Sequence, residues 1–167
     1  TFSKPGTAAH ALAEFCLNDR SNCDAWELIG KGIDVAGRAI YHANCPDNAV
    51  LVDDKMANAV QVYLNWVRKK FPGRNQGNSG VEEFIHCPTI HDYFWMATDF
   101  WHAEERVLDI ADYKHGAGIV VQARNNVQMS YYACGVLEKR ELWLKVDKVR
   151  MTIVQPRAYH PDGVIRT

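Results

Sequence analysis

The sequence predicts one α/β domain in which helices pack on a mixed β-sheet. Three observations lead to this fold class: helical patterns up to residue 71, then three consecutive strand-like runs, then one more helix and one more strand. The chain has 167 residues, which is the size of one domain, so residues 1–167 are predicted to form a single domain with a substantial core.

Three helices are predicted in the first part of the chain. The alanine-rich segment 6–19 has a helical composition with one apolar side. Residues 24–43 are expected to be helical and are interrupted by glycines. Segment 48–71 repeats its apolar residues with the period of an amphipathic helix, and Pro72-Gly73 ends it.

The second part of the chain changes in character. Segments 81–87, 93–102 and 106–114 are rich in aromatic and β-branched residues and predict three consecutive strands, mostly antiparallel. Segment 127–141 predicts a helix, and the alternating segment 148–156 predicts a last strand. A meander followed by a helix and a strand gives a mixed sheet.

Composition and charge exclude several classes of protein. The net charge is −1 and the pI about 6.6, which argues against a surface that is basic throughout, although an acidic centre beside a basic groove would give the same sum. No apolar run is long enough to span a bilayer, so no membrane association is expected. The five cysteines are unpatterned and include no C-x-x-C pair, which favours free thiols in the cytoplasm.

The strand-like run 106–114 ends in charged residues. Asp112 and Lys114 are two positions apart, so on a strand they would share a face. A short hairpin from the preceding run would bring Asp99 beside Asp112, and adjacent carboxylates repel unless a cation such as Mg²⁺ or Mn²⁺ lies between them. The alternative is an ordinary solvated ion pair between Asp112 and Lys114.

Two helical pairs add to this set. His10 and Glu14 are four residues apart on the first predicted helix, and Gln128 and Tyr132 are four apart on the helix after the glycines. Each pair alone is ordinary, since the first would usually be surface decoration and the second simple packing.

Together these residues resemble a known superfamily. The segments GTAAHALAE, ATDFW, DIADYKHGAG and NVQMSYYACG, with the tail VRMTIVQPR, are similar in content and order to the PD-(D/E)XK nucleases, in particular the RecB-like branch and its phage and prophage members. The resemblance covers nearly the whole chain. It implies a restriction-endonuclease-like core, with a mixed central sheet flanked by helices.

The resemblance also implies a role for each matching residue. Asp99, Asp112, His10 and the backbone carbonyl of Tyr113 would hold one or two Mg²⁺ or Mn²⁺ ions. Lys114 would lie beside the attacking water or the scissile phosphate. Gln128 would act with Asp99, Asp112 and Lys114 in catalysis. Tyr132, Arg124 and Glu82 are expected near the substrate. Glu82 lies where the superfamily often has a further acidic residue, and a slip of one residue in the strand would put Glu83 there instead.

The resulting hypothesis is a metal-dependent deoxyribonuclease of a phage or prophage, in the cytoplasm of the host cell. We expect an exonuclease that acts on DNA in phage replication or recombination, with a phage protein as a possible partner and with oligomers possible. A structure-specific endonuclease or nickase remains an alternative, as does a non-catalytic nucleic-acid-binding protein. Only Cys134 lies in the region where some relatives bind an iron–sulfur cluster, so none is expected.

Other residues were open to two interpretations. Scattered surface or hairpin histidines are favoured over a zinc site for His86, His91, His102 and His115. The basic segment 68–74 could follow a DNA backbone or be a solvated helix end. Met96 stands where the superfamily usually has glycine. Gly116 and Gly118 could serve a positive φ or an approach to phosphate. Three aromatic residues are expected in the sheet core, with stacking on unpaired bases as the alternative: Trp95, Phe100 and Trp101.

Overall fold

The structure is a computed structural model that describes residues 4–18, 22–34, 39–41, 47 and 49–167, without the side chains of 39–41. The chain divides into two compact units. The first unit comprises Thr1–Pro72, Lys114–Val120 and Gln155–Tyr159, and the second comprises Gly73–Tyr113, Val121–Val154 and His160–Thr167. The prediction of a single nuclease domain over 1–167 stays a prediction.

The first unit combines two helices with a small sheet. Helix α1 covers Lys4–Leu17 and helix α2 covers Asp54–Lys70, and the two pack against each other. Short strands form an antiparallel sheet in the order β2-β1-β3, and their bounds are Gly32–Asp34 for β1, Ala39–Tyr41 for β2 and Val50–Leu51 for β3.

The long predicted helix at 48–71 begins later than expected. The Asp53 side chain accepts a hydrogen bond of 2.7 Å from the backbone N–H of Met56, so Asp53 caps α2 at its first turn. The residues before it, Val50 and Leu51, pair with β1 instead. Three basic residues in the last turn complement the negative end of the helix dipole.

The prediction of a helix over 24–43 is wrong for the described residues. A short 3-10 turn covers Ala25–Leu28, and β1 and β2 follow it. Gly30 has φ +82°, a conformation that breaks a helix and that glycine adopts without strain. The parts at 35–38 and 42–43 lie outside the described residues.

The second unit contains a five-stranded sheet, of which the sequence predicted the first four strands. Strands β4 (Ser79–His86), β5 (Trp95–Glu104) and β6 (Val107–Tyr113) form an antiparallel meander. Helix α3 (Val127–Lys139) leads to β7 (Lys148–Val154), which pairs parallel with β6. The short strand β8 (Ile165–Arg166) closes the order β4-β5-β6-β7-β8. The sheet is therefore mixed, as expected.

Helix α3 covers one face of this sheet and contacts β4, β5 and β6. The core between them is formed by buried apolar side chains from both layers, including Ile85, Trp101, Leu108, Ile110, Met129, Val136 and Ile153. The Asn126 side chain caps α3 by accepting a bond of 3.1 Å from the N–H of Met129. This packing holds α3 against the strands of the meander.

No helix in the described part of the chain is both long and apolar enough to cross a membrane.

Candidate metal centre

Three acidic residues lie in one row across the strands of the second unit. A two-residue turn joins β5 to β6, and both of its residues, Glu105 and Arg106, have positive φ, as in the tight turns of hairpins. The pairing of Phe100 with Ala111 leaves Asp99 opposite Asp112. The hairpin predicted from the sequence therefore exists and aligns the two carboxylates.

The pairing of β4 with β5 adds Glu82 to this row. Val81 pairs with Phe100 and Glu83 pairs with Thr98, so Glu82 is left opposite Asp99. One carboxylate oxygen of Glu82 and one of Asp99 lie within 4.8 Å of each other. A single divalent cation with ligand distances of about 2.1–2.5 Å could contact both, so this pair could hold a metal ion.

The backbone is distorted where Glu82 joins the row. Glu82 has φ +45° in the middle of a strand, a region that costs a non-glycine residue about 1–3 kcal/mol. The surrounding sheet must hold this conformation. Backbone strain of this kind often accompanies a functional side chain.

The side chain of Asp99 is fixed by the backbone of the neighbouring strand. Its Oδ2 accepts a hydrogen bond of 2.7 Å from the N–H of Tyr113. Asp99 is 6% exposed and Asp112 1% exposed, so both carboxylates are withdrawn from bulk water. Buried like charges in one row are unfavourable unless a cation compensates them, which agrees with the chemistry of an Mg²⁺ or Mn²⁺ site.

Tyr132 of α3 lies near the same row, and Gln128 of the same helix is bonded to it. Gln128 donates a 2.6 Å hydrogen bond from Nε2 to the hydroxyl of Tyr132. The pKa of Tyr132 is raised to about 12, mainly by burial and also by the negative charges of Asp99, Asp112 and Glu82, while the bond from Gln128 acts in the opposite direction. The phenol therefore stays protonated at neutral pH, beside the acidic row.

The structure decides between Glu82 and Glu83. Glu83 accepts hydrogen bonds of 2.7 Å from Trp101 Nε1 and 2.6 Å from Arg140, whose guanidinium also lies 5.0 Å from the Trp101 ring centre. Glu83 is thus occupied by structural contacts, whereas Glu82 faces Asp99. Glu82, expected near the substrate, is better described as a candidate metal ligand because its oxygen lies so close to that of Asp99.

The Glu83 contacts were missed at the sequence level, although one signal for them exists. A Cβ on Gly80 would lie 2.2 Å from Trp101 Nε1 and 2.3 Å from Glu83 Oε2. A glycine inside a strand often marks such a close approach. Gly80 therefore makes room for the bond between Glu83 and Trp101.

Met96 also has a structural explanation. Its side chain is buried against α3, where a Cβ on Gly135 would lie 2.8 Å from Met96 Cε. The methionine therefore fills space that a helix glycine leaves open. This packing accounts for an apolar residue where the resemblance predicts glycine.

The first unit contains three further residues of the resemblance, namely the predicted metal ligand His10, its helix neighbour Glu14 and the predicted catalytic residue Lys114. His10 and Glu14 lie on α1, and Lys114 is half-buried and directly follows the last residue of β6. Because β6 ends at Tyr113, strand alternation does not determine the direction of the Lys114 side chain. The roles of His10, Lys114 and the Tyr113 carbonyl stay predictions, as does that of Arg124, which is exposed in the loop before α3.

Some expectations about single residues are corrected. Among the described residues, none of His86, His91, His102 and His115 belongs to a group of three metal-ligating side chains. His86 and His91 are exposed and His102 lies on a strand of the β5–β6 hairpin, as expected, whereas His115 is buried just after β6. Burial lowers the pKa of His115 to about 4, assisted by the positive charges of Arg157 and His10 and opposed by Asp53.

Three further outcomes concern aromatic residues, glycines and the basic segment. Phe100 and Trp101 are in the core as expected, whereas Trp95 is 61% exposed and stacks on Phe84. Gly116 and Gly118 do not have positive φ, so a left-handed turn is not the reason for them. Arg68 donates hydrogen bonds to Asp24 and to the carbonyls of Cys16 and Cys23. Its guanidinium is therefore occupied by contacts within the first unit, which argues against a DNA contact.

A family model described as "Protein of unknown function (DUF2800)" matches residues 1–164. The chain belongs to this family. No solved structure gives a significant match to this DUF2800 chain. The acidic row and its surroundings are therefore the main basis for a functional conclusion.

Proposed function

We propose that this DUF2800 chain is an Mg²⁺- or Mn²⁺-dependent deoxyribonuclease with a restriction-endonuclease-like core, in the RecB-like branch of the PD-(D/E)XK superfamily. The observation that supports it best is the row of Glu82, Asp99 and Asp112 across three adjacent strands, with Gln128 and Tyr132 beside it. Hard carboxylate oxygens in such a row suit these cations.

In this proposal the acidic row holds the ion. Asp99, Asp112 and Glu82 supply carboxylate oxygens, and the Tyr113 carbonyl and the His10 imidazole are the further ligands that the resemblance implies. When bound, the ion lowers the pKa of water and stabilises the extra charge that develops on phosphorus.

The remaining residues act on water and substrate. Lys114 supplies a compact positive charge for the attacking water or the scissile phosphate. Tyr132 stays protonated beside the carboxylates, so its hydroxyl and the Gln128 amide can orient a water or a phosphate oxygen. Arg124, exposed before α3, is proposed to contact the DNA backbone.

The proposal extends to the biological reaction through the resemblance alone. It is a phage or prophage exonuclease, cytoplasmic in the host cell, that processes DNA ends during replication or recombination.

The test is digestion of linear duplex, closed circular and single-stranded DNA by purified protein with Mn²⁺. Loss of linear duplex without nicking of closed circles is expected for an exonuclease, whereas nicked circles would indicate an endonuclease. Asp112→Asn and Lys114→Ala should each reduce cleavage at least 100-fold, the scale of losing a metal ligand or a charge-stabilising group. Asp109→Asn is the matched control, because Asp109 is on the same strand with its side chain on the opposite face and lies 3.4 Å from Arg150.

The outcome that contradicts the proposal is binding of DNA without any cleavage, unchanged in Lys114→Ala. That result would support the non-catalytic alternative. Each variant must keep the wild-type circular dichroism spectrum and melting temperature, so that loss of folding is separated from loss of chemistry.

A further inference from the structure

Two separate segments of the first unit are joined by side-chain hydrogen bonds. The Gln155 side-chain amide donates hydrogen bonds of 3.1 Å to the Gly116 carbonyl and 2.8 Å to the Ile119 carbonyl. Gln155 is 1% exposed, whereas Gly116 and Ile119 are exposed, so the two bonds are partly buried. The loop that begins at Lys114 is therefore held to the segment Gln155–Tyr159.

Arg157 adds a second connection between the same segments. Its Nη1 lies 2.8 Å from His115 Nε2 and 3.4 Å from the His115 carbonyl. A guanidinium can only donate, so Nε2 must be the accepting nitrogen and the proton of the ring must be on Nδ1. His115 is 7% exposed, whereas Arg157 is exposed. A buried imidazole thus orients an exposed cation.

The other edge of this guanidinium is available for an anion. In the second unit Arg106 uses Nε and Nη2 to hold both carboxylate oxygens of Asp147. The same edge of Arg157 makes no hydrogen bond to any residue that the structure describes, and no described carboxylate forms an ion pair with Arg157. Such an edge matches two oxygens of a phosphate.

We propose that Arg157, positioned by His115, binds a backbone phosphodiester of the DNA substrate beside the one served by Lys114. His115 follows Lys114 directly in the chain, so the bond from Arg157 to His115 places the guanidinium on the loop that carries the predicted catalytic lysine. Arg157 is a substrate-binding residue and His115 a positioning residue. The inference rests on the proposed function for the identity of its ligand.

The test is DNA binding without cleavage, measured by fluorescence anisotropy of a labelled duplex in Ca²⁺ at several salt concentrations. Arg157→Ala should weaken binding about 10-fold and lower the slope of log affinity against log salt by about one phosphate contact. In cleavage assays with Mn²⁺, the same variant should raise KM more than it lowers kcat.

Variants of His115 separate positioning from folding. His115→Gln retains an acceptor for Arg157 and should keep near-wild-type affinity, whereas His115→Leu removes the acceptor and should lose several-fold. The matched control is Arg106→Ala, since Arg106 is an exposed arginine already paired with Asp147. It should leave the affinity and the salt slope unchanged.

The results distinguish this inference from the proposed function. If the wild type cleaves DNA but Arg157→Ala leaves the affinity, the salt slope and KM unchanged, the inference alone is overturned. The same holds if Arg106→Ala weakens DNA binding as much as Arg157→Ala does. A wild type that binds DNA but never cleaves it, with weaker binding in Arg157→Ala, supports the inference and overturns the nuclease. A wild type that does not bind DNA overturns both.

Discussion

At the residue scale, burial decides which titratable groups differ from their ordinary behaviour. His115 and Tyr132 are both enclosed, and burial is the largest cause of the pKa change in each. Each keeps its neutral form, as expected when a charge is costly to desolvate. The neutral imidazole accepts from Arg157, and the neutral phenol faces the carboxylates.

The lowered pKa of His115 predicts a loss of stability in acid. His115 takes up a proton near pH 6.5 in the unfolded chain but only near pH 4 in the folded chain. The stability that the neutral His115 contributes to the folded state is therefore complete above pH 6.5 and is lost as the pH falls to about 4. The shift corresponds to a decrease of the order of 3 kcal/mol in the free energy of unfolding. Urea unfolding at pH 7, 5.5 and 4 measures it.

The comparison uses two histidine variants. His115→Gln should flatten this part of the pH dependence, whereas His91→Gln, at an exposed histidine, should retain the wild-type slope. Equal slopes in wild type and His115→Gln would contradict the assignment.

At the element scale, glycines mark where strands and helices approach side chains closely. A Cβ added at Gly80 would meet the indole of Trp101, which is 1% exposed and is also bonded to Glu83. A Cβ added at Gly135 would mainly meet the flexible end of the Met96 side chain. The first neighbour is enclosed by the core, whereas the second has rotatable bonds that allow it to move.

Alanine at these two glycines should therefore have different effects. Gly80→Ala places a Cβ against a fixed indole and carboxylate and should lower the free energy of unfolding by about 2–3 kcal/mol. Gly135→Ala should cost about 1 kcal/mol or less, because Met96 can shift and alanine favours a helix. Urea denaturation of both variants measures the difference, and equal losses would contradict this explanation.

Strand register is the other element-scale feature that shapes the candidate site. The meander places Glu82, Asp99 and Asp112 in one row only because the two hairpins have the observed pairing. A slip of one residue would exchange Glu82 for Glu83 and turn the side chains to the other face. The contacts of Glu83 with Trp101 and Arg140 stabilise the observed register.

At the scale of the whole molecule, metal binding should be visible as added stability. At an Mn²⁺ concentration about 100-fold above Kd, binding to the folded state adds about 2.7 kcal/mol. For a chain of this size that corresponds to a rise in Tm of roughly 5–10 °C. Differential scanning fluorimetry with EDTA, Mn²⁺ and Ca²⁺ measures it without any assumption about catalysis.

Three variants refine this measurement. Glu82→Gln should remove most of the Mn²⁺-dependent rise in Tm, and His10→Ala tests the ligand that only the resemblance implies. Asp147→Asn is the control, since Asp147 is an exposed carboxylate paired with Arg106. A rise in Tm that is the same in wild type and Glu82→Gln would exclude Glu82 as a ligand.

Much of the second unit was predictable from its sequence. The runs at 81–87, 93–102 and 106–114 are strands, and 127–141 contains a helix, because alternation and 3.6-residue periodicity are local properties. The error at 24–43 has a local reason too, since short strands around glycines give little periodic signal. The family shown by comparison has no described function, so the nuclease remains the proposal.

By itself, the sequence determined the three strands of the meander, the helix after them and the strand β7, because these follow from residue type and spacing. It also placed Asp99 and Asp112 on neighbouring strands, whereas the roles of Gln128 and Tyr132 came from the resemblance. Only the tertiary structure decided that Glu82 rather than Glu83 faces Asp99, and that His115 orients Arg157. The physical reason is that register, burial and side-chain partners depend on contacts between residues far apart in the chain, whose energies no local pattern contains.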